Sequence, residues 1–120
     1  MDTQMTVTSK SGVVKIGKQV TSELPKVKDA TVNVRDRVND ILATEKHNLI
    51  NYQTAINEAI SDEFRQILIN GRNDTQNLHT RVFGELFNMG EYQADVATTQ
   101  QLADTVEVFT NYKSQLPYSQ

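Results

Sequence analysis

The sequence predicts an all-α fold, an antiparallel bundle of long helices preceded by an extended N-terminal arm. Apolar residues recur at the spacing of an α-helix through residues 34–60 and again through residues 62–89. Only a short break separates these two segments, which makes the two helices antiparallel neighbours. A third amphipathic segment spans residues 98–115, so the helical domain is predicted over residues 31–118.

Residues 1–30 are predicted to form the arm, extended or partly disordered. They are rich in Thr, Ser, Lys and Val, and Pro25 prevents a helix from running through that point. Residues 6–8 and 13–16 are of β-forming types, but two isolated strands are marginally stable unless they pack on something. We expect the arm of a second copy to supply that partner.

The first helix is predicted to begin at Asn33 and to run to about residue 60. Asn is a favourable N-cap, and Asp36 lies in the first turn, where the helix dipole attracts negative charge. At about 100° per residue the apolar side chains fall on one stripe, which faces the core. This stripe consists of Val38, Ile41, Leu42, Leu49, Tyr52, Ile56, Ala59 and Ile60.

The second helix is predicted to begin after Ser61 and to end at Met89, where Gly90 can adopt the left-handed conformation of a C-terminal cap. Phe83 and Phe87 fall outside its main stripe and widen the apolar face. We expect a third helix or another subunit to cover them. The stripe itself consists of Phe64, Ile67, Leu68, Leu78, Val82, Leu86 and Met89.

The third helix is predicted over residues 98–115. It ends before Pro117, because proline cannot continue a helix. Its apolar side chains recur at helical spacing. They are Leu102, Val106, Phe109, Tyr112 and Leu116.

Two small residues lie on the core stripe of the second helix. Gly71 costs about 1 kcal/mol in helix propensity relative to Ala, and close approach of a neighbouring backbone would offset this cost. A kink at Asn70-Gly71 is the alternative. Thr75, one turn further along, is predicted to be a buried polar residue.

Glu45 lies near the centre of the first helix's apolar stripe, between Leu42 and Leu49. A buried carboxylate has to be paired, hydrogen-bonded or bound to a metal. Metal centres in helical bundles use Glu-x-x-His on two helices, and the nearest match here is Gln76-x-x-His79, which lacks the carboxylate. We therefore predict a structural polar contact for Glu45 and no metal site. The alternatives are a wet edge of the bundle or a metal held by Glu45 and His79.

The composition excludes several classes of function. The net charge is −3 with both signs interspersed, so no basic surface is available for nucleic acid. No segment reaches the roughly 18 apolar residues that a membrane span needs, and the N-terminal residues lack the apolar core of a signal peptide. The sequence has no Cys, and neither His belongs to a nucleophilic arrangement. We predict no catalytic residues and no cofactor.

The segment from Gly12 to Lys18 has the spacing of a phosphate-binding loop, Gly-x-x-x-x-Gly-Lys. A functional loop continues with a Ser or Thr for magnesium and lies between a buried strand and a helix. Gln19 stands at the hydroxyl position, and the predicted arm offers neither of the two flanking elements. We interpret the segment as an ordinary polar part of the arm.

The size of the chain predicts self-association. A helical core of roughly 85 residues is near the lower limit for folding alone. One shorter third helix also cannot cover two helices that each carry a wide apolar stripe. We expect a homo-oligomer, with a two-fold dimer favoured, in which the helical hairpins of two chains form a bundle.

Five short motifs follow one another along the chain. They are Asn33-x-Arg35-Asp36-Arg37-x-Asn39-Asp40-x-Leu42-x-Thr44-Glu45-Lys46, Tyr52-x-x-Ala55-x-x-Glu58-Ala59, His79-x-x-Val82-Phe83, Gly90-x-Tyr92 and Gln115-Leu116-Pro117-Tyr118. This ordered set resembles the coat F family of spore coat proteins from endospore-forming bacteria, over about residues 25–118. Members of that family often carry an aromatic residue at the position of His47 and Trp at the position of Glu91.

The resemblance implies a ferritin-like helical fold and a structural role in the spore coat, without enzymatic activity. It also implies docking to other spore coat proteins. A coat protein of this kind would be made in the mother-cell cytoplasm without a signal peptide. The alternative function is that of a degenerate ferritin-like protein that binds a metal or a small ligand near Glu45 and His79.

Overall fold

The computed structural model describes residues 1–21, 24 and 30–117, and these residues are mostly helical with a small sheet. The predicted helix break at Pro25 and the final motif's Tyr118 lie outside the described residues. The helices are α1 (Val34–Glu58), α2 (Asp62–Asn88) and α3 (Thr99–Tyr112), and α3 continues into a 3₁₀ turn at Lys113–Gln115. The strands are β1 (Thr6–Thr8), β2 (Val14–Ile16) and β3 (Ala94–Asp95).

Local hydrogen bonds cap the start of α1 and the start of α2. The Asn33 side chain accepts a hydrogen bond from the Asp36 amide at 3.1 Å, and the Asp36 carboxylate accepts one from the Asn33 amide. The Ser61 hydroxyl accepts one from the Phe64 amide at 3.3 Å. A backbone hydrogen bond and then the Ser61 hydroxyl hold the pKa of Glu63 below its ordinary value. Glu63 is therefore charged at neutral pH beside the positive end of the α2 dipole.

The end of α2 is a tight reversal built on Gly90. Gly90 has a φ of 74°, in the left-handed region that favours glycine. Its amide donates to the Phe87 carbonyl at 3.0 Å, and the Glu91 amide donates to the Leu86 carbonyl at 3.0 Å. These two bonds satisfy carbonyl groups that the end of a helix otherwise leaves unpaired. The chain leaves the helix at the predicted glycine.

The two predicted strands of the arm pair with each other and with a later segment of the same chain. The sheet has the order β1-β2-β3, and both pairings are antiparallel. Lys15 lies opposite Asp95, and their side chains form an ion pair at 3.1 Å. The expectation of a second arm as strand partner is therefore wrong, because residues 94–95 of the same chain supply the third strand. The fold is helical with a small sheet and not strictly all-α.

The hairpin of α1 and α2 holds a small core. The buried apolar side chains among the described residues are Leu42, Ile56, Ala59, Leu86 and Phe87. Ile56 and Ala59 lie near the turn between the helices, whereas the other three lie toward the opposite end. Between these two clusters, residues 43–55 of α1 and 62–85 of α2 include no fully buried side chain. The middle of the hairpin is thus incompletely covered in the single chain.

Helix α3 does not cover the hairpin. Every residue of α3 is exposed, and in the part of the chain that the structure describes no helix or strand packs against it other than its own 3₁₀ turn. Phe87 is nevertheless only 5% exposed, and Phe83 packs edge-on against Tyr92 with 4.4 Å between ring centroids. The expectation that a third helix or second subunit must cover these two rings is wrong, since the single chain already shields them.

Candidate interaction surface

Two heptad-spaced stripes run along one side of the hairpin. The α1 stripe is Ile41, Asn48 and Ala55, and the α2 stripe is Phe64, Gly71 and Leu78. Residues seven apart lie almost above one another on a helix, two turns along. Asn48 and Ala55 line a groove between the helices, and Gly71 touches Tyr52, which lines the same groove. We call the two stripes, Ile67 and the groove between them the open face.

The open face is apolar at its edges and mixed in the groove. The groove has a volume of about 400 Å³ and is lined by Asn48, Asn51, Tyr52, Ala55, Leu68 and Thr75. Its edges carry the exposed side chains Ile41, Phe64, Ile67 and Leu78. A row of large apolar side chains beside an uncovered groove is typical of a surface that binds another protein.

Gly71 makes room for the ring of Tyr52. A Cβ atom at Gly71 would lie 2.8 Å from the Tyr52 hydroxyl oxygen and 2.9 Å from Cε1 of the ring. The close approach predicted at this glycine therefore comes from a side chain of α1 and not from a backbone. Helix α2 runs without a break through Asn70-Gly71, from Asp62 to Asn88, and the alternative of a kink there stays a prediction.

Replacement of Gly71 by Ala is expected to lower the free energy of unfolding by about 1–2 kcal/mol, although Ala is the better helix former by about 1 kcal/mol. The new methyl group overlaps the Tyr52 ring, which must then leave its position. Urea unfolding followed by circular dichroism measures the change. In a Tyr52→Ala background the same substitution should be neutral or stabilising. A gain in stability from Gly71→Ala alone would contradict the contact.

Glu45 and Thr75 are both half-buried in the single chain, and neither is fully buried. Thr75 lines the groove directly. Glu45 lies one turn from Ile41 and from Asn48 along α1, so it borders the open face. Among the described residues Glu45 has no hydrogen-bond or ion-pair partner. Full burial of these two side chains stays a prediction that concerns an assembly of chains.

His79 stacks on Phe83, with 6.2 Å between ring centroids and 17° between ring planes. Its Nδ1 atom is buried and makes no hydrogen bond to the described residues. His79 and Glu45 lie on facing helices but form neither an ion pair nor a hydrogen bond. Within residues 1–21, 24 and 30–117, no group of three or more His, Asp and Glu side chains is placed to hold a metal ion.

The segment from Gly12 to Lys18 does not have the geometry of a phosphate loop. Its central residues form β2, and residues 17–21 that follow are not helical. A phosphate loop needs a helix at that point, whose first amides face the phosphates.

None of the helices in the described ranges is both long and apolar enough to cross a membrane.

A second group of contacts, which the sequence did not indicate, fixes the arm against the end of α2. The Lys18 ammonium donates to the Asn88 side chain at 3.0 Å, and the Gln93 amide donates to the Lys18 carbonyl at 2.9 Å. Arg35 and Glu91 form an ion pair at 3.3 Å in which both side chains are largely buried. The two residues of each of these three pairs are more than 50 positions apart, so no local pattern could have revealed them.

Comparison with known proteins gives one family and one relative. The family model of the Coat F domain matches residues 33–95, which include α1, α2 and β3. The uncharacterized protein YusN of Bacillus subtilis (strain 168) is 28% identical over 90 residues, which cover 74% of this chain and 82% of YusN. No solved structure matches the chain. Helix α3 and strands β1 and β2 lie outside the family match.

Proposed function

The chain belongs to the Coat F family of spore coat proteins, and on that premise we propose that it is a structural component of the endospore coat that self-associates through the open face. The observation that carries this proposal is the uncovered middle of the hairpin. There exposed apolar side chains border a groove between the two helices, and residues 43–55 and 62–85 include no fully buried side chain. A second copy of the same face is the partner that an isologous contact provides.

In the proposed dimer the hairpins of two chains face each other and form a four-helix, ferritin-like bundle. The exposed side chains of the two stripes become its core. Glu45, Thr75 and His79 come from the half-buried layer of each hairpin, so the bundle encloses polar groups that can serve as partners for one another. Such a layer fixes the register of a bundle, because a shifted register leaves buried polar groups unpaired.

The dimer suits a coat protein because it doubles the surfaces that are presented outward. Other coat proteins are the proposed partners of those surfaces, and neither nucleic acid nor a membrane is among them. The proposed role is not enzymatic and uses no cofactor. The proposed location is the spore coat, after synthesis in the mother-cell cytoplasm.

Light scattering at low micromolar concentration is expected to give at least twice the 13.6 kDa mass of one chain. Ile67→Glu should reduce this mass to that of a single chain, because a charge placed on the open face cannot be buried without a partner. Ile67 is 65% exposed, so the substitution leaves the fold of the single chain intact.

Ile50→Glu is the matched control for the dimer. Ile50 is 64% exposed, close to the 65% of Ile67. It lies on α1 away from both stripes. Its substitution should keep the mass of the wild type. A wild-type chain that is a stable monomer, or equal effects of the two variants, would refute the open face as the dimer contact.

One observation favours a second function, the binding of a metal or a small ligand near Glu45 and His79. The buried Nδ1 of His79 makes no hydrogen bond to the described residues, and an unpaired buried nitrogen is a suitable ligand atom. Elemental analysis of the purified protein and titration with iron or manganese test it. Saturable binding that His79→Ala abolishes would favour this second function, whereas no binding would eliminate the metal form of it.

A further inference from the structure

Helix α3 carries an apolar stripe that faces solvent along its whole length. The five side chains of this stripe, Leu102, Val106, Phe109, Tyr112 and Leu116, are between 54% and 69% exposed. Val106, Phe109, Tyr112 and Leu116 surround one concavity on the surface of the helix, so they share one face. Among the described residues no helix or strand other than its own 3₁₀ turn packs against it.

The spacing of this stripe is the same in both directions from Phe109. Val106 and Tyr112 lie three residues to either side, and Leu102 and Leu116 lie seven residues to either side. Along the axis Leu102 is about 10.5 Å from Phe109. Leu116 is about 12 Å away, because the last turn is a 3₁₀-helix with a longer rise. The apolar positions are therefore symmetric about Phe109 to within about 2 Å.

The charges of α3 do not oppose contact between two such stripes. Asp104 and Glu107 lie on the other side of the helix. Around the helix axis they are about 140° and about 160° away from Phe109, the centre of the stripe. Lys113 is the charged residue nearest to the stripe, and in an arrangement symmetric about Phe109 it lies opposite Thr105 of the second helix. No two like charges meet across the contact.

From this symmetry we propose that α3 is a second self-association surface, which pairs antiparallel with α3 of another copy about a two-fold axis at Phe109. An isologous contact requires that residue i meets residue j and that j meets i. The pattern of α3 satisfies this requirement: Phe109 meets Phe109, Val106 meets Tyr112, and Leu102 meets Leu116.

The pairing of α3 with α3 can occur whether or not the hairpins form the proposed dimer. The larger assembly that would result from it rests on that proposed dimer. One pair of helices this short buries less area than a standard stable interface, so the contact is weak when it acts alone. Two different isologous contacts on one chain build an open-ended row, because each contact closes on itself and leaves the other free. If the open face forms the dimer, pairing of α3 would therefore link these dimers into a long row within a protein layer.

Cysteine cross-linking tests the pairing directly, because the natural sequence has no Cys. The variants Phe109→Cys, Leu102→Cys and Leu116→Cys are made in the Ile67→Glu chain and treated with a short bismaleimide. Phe109→Cys should form covalent dimers by itself. Leu102→Cys alone should not, because its symmetry mate is about 21 Å away, whereas a mixture of Leu102→Cys with Leu116→Cys should. Efficient cross-linking of Leu102→Cys with itself, or no cross-linking of Phe109→Cys, would overturn the proposal.

A second test measures how the size of the assembled species depends on protein concentration, in chains that keep Ile67. At high concentration the wild type should form species larger than the dimer, and Phe109→Glu should remove these species while keeping the dimer. Asn111→Glu adds the same charge to the opposite side of α3 and should leave them unchanged. If Ile67→Glu fails to dissociate the dimer but Phe109→Glu does, the open face is wrong and α3 pairing stands. If neither Phe109→Glu nor Asn111→Glu changes the larger species, α3 pairing is wrong.

Discussion

Replacement of Leu86 by Ala is expected to lower the free energy of unfolding by about 3–5 kcal/mol. Leu86 is 0% exposed, the most completely buried large side chain among the described residues. Its removal leaves a cavity next to the tight turn in which the Leu86 carbonyl accepts hydrogen bonds from two amides. Because small domains are stable by only about 5–15 kcal/mol, the loss should be evident in thermal unfolding as well as in urea.

The control for this substitution is Ile50→Ala on α1. Ile50 is 64% exposed and belongs to neither proposed contact, and a surface substitution of this kind changes stability by less than about 0.5 kcal/mol. Both variants have to be compared at equal protein concentration, because self-association stabilises the folded chain by mass action. A loss below about 1 kcal/mol for Leu86→Ala would contradict a core centred at this end of the hairpin.

Gly90→Ala is expected to cost about 2–4 kcal/mol, from two separate causes. The left-handed backbone at Gly90, with φ at 74°, costs an L residue about 1–2 kcal/mol. In addition, the new Cβ would lie 2.5 Å from the backbone oxygen of Gln19 and 2.7 Å from the amide nitrogen of Val20. Backbone atoms cannot turn aside as a side chain can, so the arm itself must move away from α2.

Two other glycines separate these causes. Gly12 also has a positive φ, at 84°, but a Cβ there would meet nothing within 4 Å, so Gly12→Ala measures the backbone term alone. Gly84 lies within α2 in open space, and Gly84→Ala should stabilise the protein by about 0.5–1 kcal/mol. Equal losses for Gly12→Ala and Gly90→Ala would mean that the arm does not pack closely on Gly90.

The contacts around Gly90 explain why Phe87 is unsuitable for testing self-association. Phe87 lies inside the chain, three residues before the turn that the arm covers. A charge at this position would unfold the chain, and the loss of an oligomer would follow trivially. Ile67 and Phe109 are exposed in the folded chain, so their substitution reports on association and not on folding.

The local features of this protein follow from short stretches of its sequence. Asn33 caps α1, Ser61 caps α2, and Gly90 ends it, as their positions predicted. These features depend on partners no more than four or five residues away, so a short stretch of sequence contains all that decides them. The ordered motifs likewise identified the Coat F family, whose model matches residues 33–95.

Contacts between distant parts of the chain set which surfaces the chain covers for itself. The pairing of Lys15 with Asp95 joins residues 80 positions apart, and residue type alone does not specify a strand partner at that distance. Among the described residues no helix or strand other than its own 3₁₀ turn packs against α3, and the groove of the open face stays uncovered. A helical period shows which apolar side chains share one face of a helix, but the burial of that face depends on which other element reaches it. For Phe87 that burial is complete within the chain, and for Ile67 and Phe109 it is not.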